Sequence, residues 1–528
     1  MFRNYRLLLL TVMGVVPSTI FAESLPAPRP NIVLIYADDI GWGDLGCYGA
    51  KVIPTPNIDR LAAQGARFNS AYCTSATCTP SRYSMLTGEY AWRRKGTGVL
   101  SGDAPLIIPT TRPTVATVLR DSGYATAVIG KWHLGLGPRK GAGGPALDWN
   151  KPIAPGPREV GFTTSFIMAA TGDRVPCVYV KDGEVVGLDA NDPIQVSYER
   201  PFPADPDLKS PELRRTLRMD WSHGHNQGLI NGVGRIGWMR GGRAAVWDDT
   251  TLGDVFAAQA CAWITTQAQR QQPFFLFYAS HENHVPRVVH PRHAGKTPLG
   301  PRGDAIVAFD EQVGQLMEAL EKAGVAEQTL VLVTSDNGPV LDDGYKDEAY
   351  ERNRAAGHFP AGPFRGGKYS AHQGGTRVPL VVRWPRVVPS GLVVEGLVSQ
   401  VDFPALFVRV AGGNPSPFTQ LDSANLDATS LVSGTSRDHV VSHGSGDRFS
   451  LRVGDWVYVT SADLRDFTTF HGPGHRPTLG AQGEQLYHLK TDPGERVNLV
   501  ERHPEKVEEL RQRLKQLQDR GLGQPLPL

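Results

Sequence analysis

The chain has 528 residues, 40% hydrophobic and 20% charged, with 58 Gly and 41 Pro dispersed along it, a composition that excludes disorder, collagen and a coiled coil. Lys and Arg (55) nearly cancel Asp and Glu (53) to leave a net charge of +2, which excludes a protein whose main work is coating nucleic acid or an acidic membrane and makes any anion site local. At about 150 residues per domain the length sets a ceiling of three or four domains, although large α/β enzymes keep one dominant core.

In chain order, Arg3 and Arg6 lead into an apolar run from Leu7 to Val16 and then the small residue Ala22, the layout of a secretory signal peptide over residues 1–22. Export to the periplasm or the medium is therefore expected. No Cys stands near the cleavage point to carry a lipid anchor, and no later segment reaches about 18 uninterrupted apolar residues, so no membrane span is expected in the mature chain. The runs Asn31 to Ala37, Tyr124 to Ile129, Phe274 to Ala279, Leu330 to Thr334 and Val378 to Trp384 read as strands. The stretches Asn57 to Gln64, Thr114 to Asp121, Leu252 to Gln269 and Asp304 to Lys322 have helical periodicity. Near-continuous apolar strands interleaved with helices predict an α/β fold over residues 23–410, with a mostly parallel sheet covered by helices on both faces.

Residues 138–249 are rich in Gly, Pro and Trp and lack a clear period, so they are expected to form an irregular insertion. From 411 to 528, short alternating strands (Ser450 to Val459, Gln485 to Leu489) and a charged helix, Pro504 to Arg520, predict a small α+β domain with an antiparallel sheet. The five cysteines, Cys47, Cys73, Cys78, Cys177 and Cys261, are too few for a disulfide scaffold. Export permits one or two bridges, and pairing of Cys47 with Cys73 is left open.

In an open α/β sheet, ligands sit beyond the carboxyl ends of the strands. Asp38 and Asp39 follow the first predicted strand, Lys131 and His133 the second, His281 and His284 the third, Asp336 and Asn337 the fourth. One Asp or Asn pair alone is an ordinary turn or helix cap. Two pairs at strand ends offer three carboxylates and an amide, hard donors suited to Ca²⁺ or Mg²⁺ rather than zinc. A second feature is Cys78-Thr79-Pro80-Ser81-Arg82. Pro80 suits the first turn of a helix and puts Cys78 at its N-terminus, where dipole and unpaired N–H groups favour negative charge. That position serves a nucleophile attacking an anion, although a buried free thiol is the commoner fate of a lone Cys. A Cys-x5-Arg phosphatase loop is excluded, because the sixth residue after Cys78 is Ser84.

Cys-x-Pro-Ser-Arg followed by x-x-x-Leu-Thr-Gly resembles the signature of the type I sulfatases, members of the alkaline-phosphatase-like superfamily. The resemblance continues, in the family's order, through Asn31 to Gly49 (NIVLIYADDIGWGDLGCYG), Gly130 to Gly135 (GKWHLG), Ser335 to Gly338 (SDNG), Arg365 to Pro379 (RGGKYSAHQGGTRVP) and Leu486 to Leu499 (LYHLKTDPGERVNL). It implies a hydrolase that splits a sulfate monoester into an alcohol and inorganic sulfate. It also implies that a maturation enzyme oxidises Cys78 to formylglycine. Carried over by position, Asp38, Asp39, Asp336 and Asn337 resemble the ligands of one divalent ion, usually calcium, completed by the group made from Cys78. Arg82 and His133 match residues that orient the hydrated aldehyde, Lys131 and Lys368 those that hold sulfate oxygens, and His284 the partner of the leaving oxygen. This layout fits the chemistry: a sulfate ester is an anion, so a cation with Lys and Arg offsets charge and withdraws electrons from sulfur. A gem-diol can expel sulfate by collapsing to the aldehyde, with His133 as the expected base and His284 or Lys368 as the proton donor to the alcohol.

The expected substrate is a sulfated carbohydrate, with galactose or N-acetylgalactosamine 6-sulfate implied by the kind of insertion. Asp173, Arg174 and His225 in the insertion are candidate substrate contacts, as are His223, Asn231 and Arg235, while Trp149, Trp221 and Trp247 are candidate stacking platforms. Arg93-Arg94-Lys95 reads as a polyanion guide or as a solvated face. The alternatives are a phosphonate or phosphate monoester hydrolase of the same superfamily and a carbohydrate-binding homologue with a dead site. A two-zinc phosphatase lacks its extra His and Asp ligands here.

Overall fold

The computed structural model describes residues 29–138, 147–434, 437–461 and 483–520; the expected signal peptide, residues 1–22, lies outside them. Ten strands form the main sheet: β1 (Asn31–Ala37), β2 (Ala66–Tyr72), β3 (Ala125–Lys131), β4 (Thr164–Met168), β5 (Tyr179–Lys181), β6 (Glu184–Val185), β7 (Phe274–Ala279), β8 (Thr329–Ser335), β9 (Leu380–Arg383) and β10 (Leu392–Ser399). Their order is β10-β2-β9-β8-β1-β7-β3-β4-β5-β6. The run from β8 to β4 is parallel, as is β10 with β2, whereas β9 and the β5-β6 edge pair antiparallel. The sheet is therefore mixed, and the expected parallel order holds at its centre.

Every residue of β1, β3, β7 and β8 is buried, which explains why these strands read as unbroken apolar runs: both faces are covered. Alternation along β7 shows what covers them. Phe275 meets Phe407 of a helix at Phe403–Val410 on one face. On the other, Phe274 packs edge-on against Trp263 of the helix Leu252–Gln269, and the Tyr278 hydroxyl donates to Gln312 of the helix Pro301–Lys322. The helix Cys78–Thr87, here α1, is buried at all ten positions.

Segment 138–249 departs from the irregular insertion expected of it. It holds β4, β5 and β6, which widen the main sheet, and a hairpin of Gly228–Ile230 with Val233–Arg235. These strands are two to five residues long, too short to print a period on the sequence. Residues after 410 first complete the large core, through Phe418, Leu426 and Leu431. A separate four-stranded antiparallel sheet then runs His439–His443, Phe449–Val453, Trp456–Val459, Gln485–His488, with the helix Pro504–Asp519 packed on it through Val507, Leu510 and Leu514. This sheet touches the loop before α1: Ala76 N donates to His443 O at 2.8 Å and His443 N to Thr74 O at 3.0 Å. All five cysteines are free, so Cys47 and Cys73 do not pair. Among the described residues no helix is long and apolar enough to cross a membrane.

Gly130, in β3 with φ +113°, lies so close to β7 that an added Cβ would stand 1.9 Å from the Ala279 carbonyl oxygen. Gly130→Ala is therefore expected to cost about 3 kcal/mol. An earlier midpoint of urea unfolding checks it; an unchanged midpoint contradicts this packing.

Candidate active site

The parallel centre delivers side chains to one end. β1 is followed by Asp38 and Asp39, β8 by Asp336 and Asn337, β3 ends in Lys131 with His133 two residues on, and β7 is followed by His281 and His284. Register aligns the two acidic ends, since Ala37 pairs with Ser335 and Asp336 N donates to Ala37 O at 3.1 Å. Cys78 opens α1, as Pro80 predicts, and Sγ lies 3.7 Å from Asp38 Oδ1. One ligand atom from each of Asp38, Asp39, Cys78 and Asp336 falls within 4.8 Å of the others, all four residues being buried. Asn337 Nδ2 donates to Asp39 Oδ1 at 2.6 Å, and its own buried Oδ1 has no hydrogen-bond partner. A cluster of buried, mostly hard-oxygen donors able to hold a divalent cation is thus present.

Three buried cations face these carboxylates. Arg82, one turn after Cys78, donates from Nη2 and Nε to Asp336 Oδ2 at 2.7 and 3.0 Å, and from Nη1 to the Lys131 carbonyl at 3.1 Å. Lys131 Nζ donates to Asp38 Oδ2, and Lys368 Nζ to Asp39 Oδ2 at 2.8 Å. Burial, with Asp336 adding repulsion and Lys131 opposing it, pushes the Asp38 carboxyl up to about 8. Burial would raise Asp336 too, but Arg82 and Lys131 hold it below the usual carboxylate range. Burial also drives the Cys78 thiol well above its ordinary value, against the pull of Lys131 and Lys368. The helix N-terminus expected to favour a thiolate is outweighed here by desolvation and the adjacent carboxylates.

Two histidines have their neutral tautomers set by backbone carbonyls. His133, at φ +53°, presents Nε2 to Leu100 O at 3.0 Å, which fixes the proton there and leaves the buried Nδ1 an acceptor with no partner. Its carbonyl accepts from Thr79 Oγ1 at 3.0 Å, tying it to the residue beside Cys78. His284 presents Nδ1 to Val285 O at 2.8 Å, and its Nε2 stands 3.9 Å from both Asp39 Oδ2 and Asp343 Oδ2. Burial, reinforced by nearby lysines, holds both rings well below the usual imidazole range.

The candidate substrate residues meet beside His284. Asp173 Oδ2 lies 2.8 Å from His225 Nε2 and 2.7 Å from Arg174 Nη1, and Asp173 Oδ1 is 4.0 Å from His284 Nδ1. His281 supports this loop by accepting from Gly172 N at 3.1 Å. Other candidates are used elsewhere. Arg235 and Asn231 both bond Asp249, at 2.7 and 2.9 Å, Trp149 and Trp247 lie in the core, and Trp221 is covered by Arg214. His223 is exposed beside Asp342. Arg93 and Arg94 pair with Asp422 and Glu89 at 2.8 and 2.7 Å, so neither is a free guide for polyanions. Asp343 and Tyr369 were not foreseen: Lys368 Nζ donates to Asp343 Oδ2 at 2.7 Å and the Tyr369 phenol to Asp343 Oδ1 at 2.8 Å. Asp343 stands in an Asp-Asp-Gly loop that reads as a plain turn.

The family model described as Sulfatase matches residues 30–413, and the chain belongs to the sulfatase family: it is a sulfuric ester hydrolase. It is 43% identical over 498 residues to an N-acetylgalactosamine-6-O-sulfatase of Bacteroides thetaiotaomicron, covering 93% of this chain and 94% of that one. Human arylsulfatase A is 32% identical over 93% of this chain and 87% of its own. A solved structure from work on glycosaminoglycan metabolism by Bacteroides thetaiotaomicron superposes with a TM-score of 0.84 at 42% identity, covering 94% of this chain and all of that one.

Removing one partner of a buried ion pair costs about 3–5 kcal/mol. Arg82→Leu, which strands Asp336, is expected to lose that much in urea unfolding with chelator present, and a variant as stable as the parent contradicts the pairing.

Proposed function

We propose that this sulfatase is exported and removes the 6-sulfate of N-acetylgalactosamine or galactose from a sulfated carbohydrate, using a formylglycine made from Cys78 by a separate maturation enzyme. The observation that carries the reading is the convergence of Cys78, three carboxylates and His284 in one buried cluster, with Arg82, Lys131 and Lys368 bonded to those carboxylates and His133 tied to the residue beside Cys78. The substrate follows the relative that shares 43% of its residues over nearly the whole chain.

Asp38, Asp39, Asp336 and Asn337, with the group at position 78, would hold one Ca²⁺ or Mg²⁺. The fit rests on the buried carboxylates and on the Asn337 Oδ1 that lacks a donor. Such an ion supplies positive charge that draws electrons from the ester. A hydrated formylglycine supplies a hydroxyl nucleophile and a second hydroxyl whose deprotonation releases sulfate. The chain's own groups do the rest. Lys131 holds the sulfate's non-bridging oxygens, Lys368 its bridging ester oxygen, and Arg82 fixes the floor beneath position 78. His133 Nδ1, the partnerless acceptor, takes the proton in the release step. Lys368, the protonated one of the two groups expected at the departing oxygen, meets it, whereas His284 is neutral, donates its ring proton from Nδ1 to Val285 O and has none on Nε2 to give. Asp173, Arg174 and His225 form the wall that meets the sugar.

Cys78→Ala is expected to melt like the parent and to release no sulfate above background from 6-sulfated N-acetylgalactosamine; parental turnover by that variant removes the mechanism. Faster hydrolysis of a phosphonate ester than of the sulfate ester by the parent would favour the alternative hydrolase. Ca²⁺ at about 100 times its dissociation constant should add about 2.7 kcal/mol of stability to the parent and none to Asp39→Ala. Equal gains in both proteins would place the ion elsewhere.

A further inference from the structure

Lys368 is held from two sides. Asp39 Oδ2 accepts from Nζ at 2.8 Å and Asp343 Oδ2 at 2.7 Å. The Asp343 side chain is 13% exposed, against 2% for Lys368 and none for Asp39. Asp343 therefore stands on the outer side of the ammonium and the Asp38, Asp39, Cys78 and Asp336 cluster on the inner side, although Asp343 also comes within 4.8 Å of Asp39 and His284 ligand atoms. Asp343 is also 3.9 Å from His284 Nε2.

A second observation concerns Tyr369, whose phenol donates to Asp343 Oδ1 at 2.8 Å. Its φ is +77°, in a region that a residue with a Cβ occupies only when its surroundings over-determine it. The surroundings are specific. Tyr369 N donates to Ala76 O at 2.7 Å, two residues before Cys78, and Ser445 N of the small domain donates to Tyr369 O at 2.8 Å. The strained turn thus sets the phenol, and through it Asp343, relative to the loop that carries Cys78.

We propose that Asp343, braced by Tyr369, is a positioning residue that aims Lys368 at the oxygen of the departing alcohol. An ammonium has three N–H donors. Two are fixed by Asp39 and Asp343, and tetrahedral geometry then fixes the third. Without Asp343 the ammonium is free to turn about its remaining bond to Asp39. As the S–O bond to the alcohol breaks, its electron pair stays on the departing oxygen, and the fixed N–H meets that charge. The need is greatest for a sugar alkoxide and least for a phenolate, which disperses its own charge. Asp343 thereby equips the site for carbohydrate esters rather than aryl esters.

This inference rests on the role given to Lys368 above, so the test compares two substrates, 6-sulfated N-acetylgalactosamine and 4-nitrophenyl sulfate. Asp343→Asn is expected to lower kcat on the sugar sulfate roughly 100-fold with little change in KM, and on the aryl sulfate by less than about 5-fold. Tyr369→Phe should show the same selectivity at roughly 10-fold, and it carries the test if Asp343→Asn does not fold. Asp343→Glu should restore part of the sugar activity. Equal losses on both substrates overturn the proposal. So does a raised KM for the sugar at unchanged kcat, which would assign Asp343 to gripping the sugar. Lys368→Ala separates the two levels. If it loses both activities equally, the leaving-oxygen role of Lys368 falls. If it is selective while Asp343→Asn is not, only the present inference falls.

Discussion

Three carboxylates, Asp38, Asp39 and Asp336, are removed from water at the ends of two adjacent strands, where each would be costly alone. Lys131, Lys368 and Arg82 are buried with them and match them one to one. The balance is incomplete, since Asp38 and Asp39 are still pushed upward while Asp336 is held down. Such a nest prefers one more positive charge, which a divalent ion would supply. In the proposed mechanism the same cations would face the sulfate ester, so that one set of side chains would serve both the charge balance of the resting site and recognition of the substrate.

The scaffold makes this arrangement with few degrees of freedom. Parallel register levels Asp38 with Asp336, and a helix with no exposed face presents Cys78 and Arg82 one turn apart. Asp39, His133 and Tyr369 are non-glycine residues at positive φ, and all three lie in the site. Strain of this kind, of order 1–3 kcal/mol each, persists because hydrogen bonds from several elements fix these turns. The small C-terminal sheet is part of the same device, bonded to Thr74, Ala76 and Tyr369 around the Cys78 loop.

The centre of the fold and the centre of the site were legible in the sequence for one shared reason. Strands buried on both faces print continuous apolar runs, and polar residues that end such a run stand out: Asp38 after Ala37, His133 after Lys131, Asp336 after Ser335. The strands β2, β4 and β5 were not legible, being short or bearing polar residues such as Arg67 and Asn69. With β4 unseen, Asp173 and Arg174 were reached only as loop candidates, although they follow a strand as the other site residues do. Asp343 left no trace, since its partners Lys368 and Tyr369 are 25 and 26 residues away and its loop has ordinary turn composition. The expectation of an activated Cys78 failed in part because a helix N-terminus is visible in sequence and desolvation is not.

The proposed mechanism turns on position 78 carrying an aldehyde rather than the buried thiol. The direct measurement is the mass of the tryptic peptide Phe68 to Arg82 from protein produced together with a maturation enzyme. The mechanism predicts a peptide lighter by the exchange of thiol for aldehyde, which captures a hydrazide probe. An unmodified Cys78 in protein that nevertheless hydrolyses sulfate esters would contradict it.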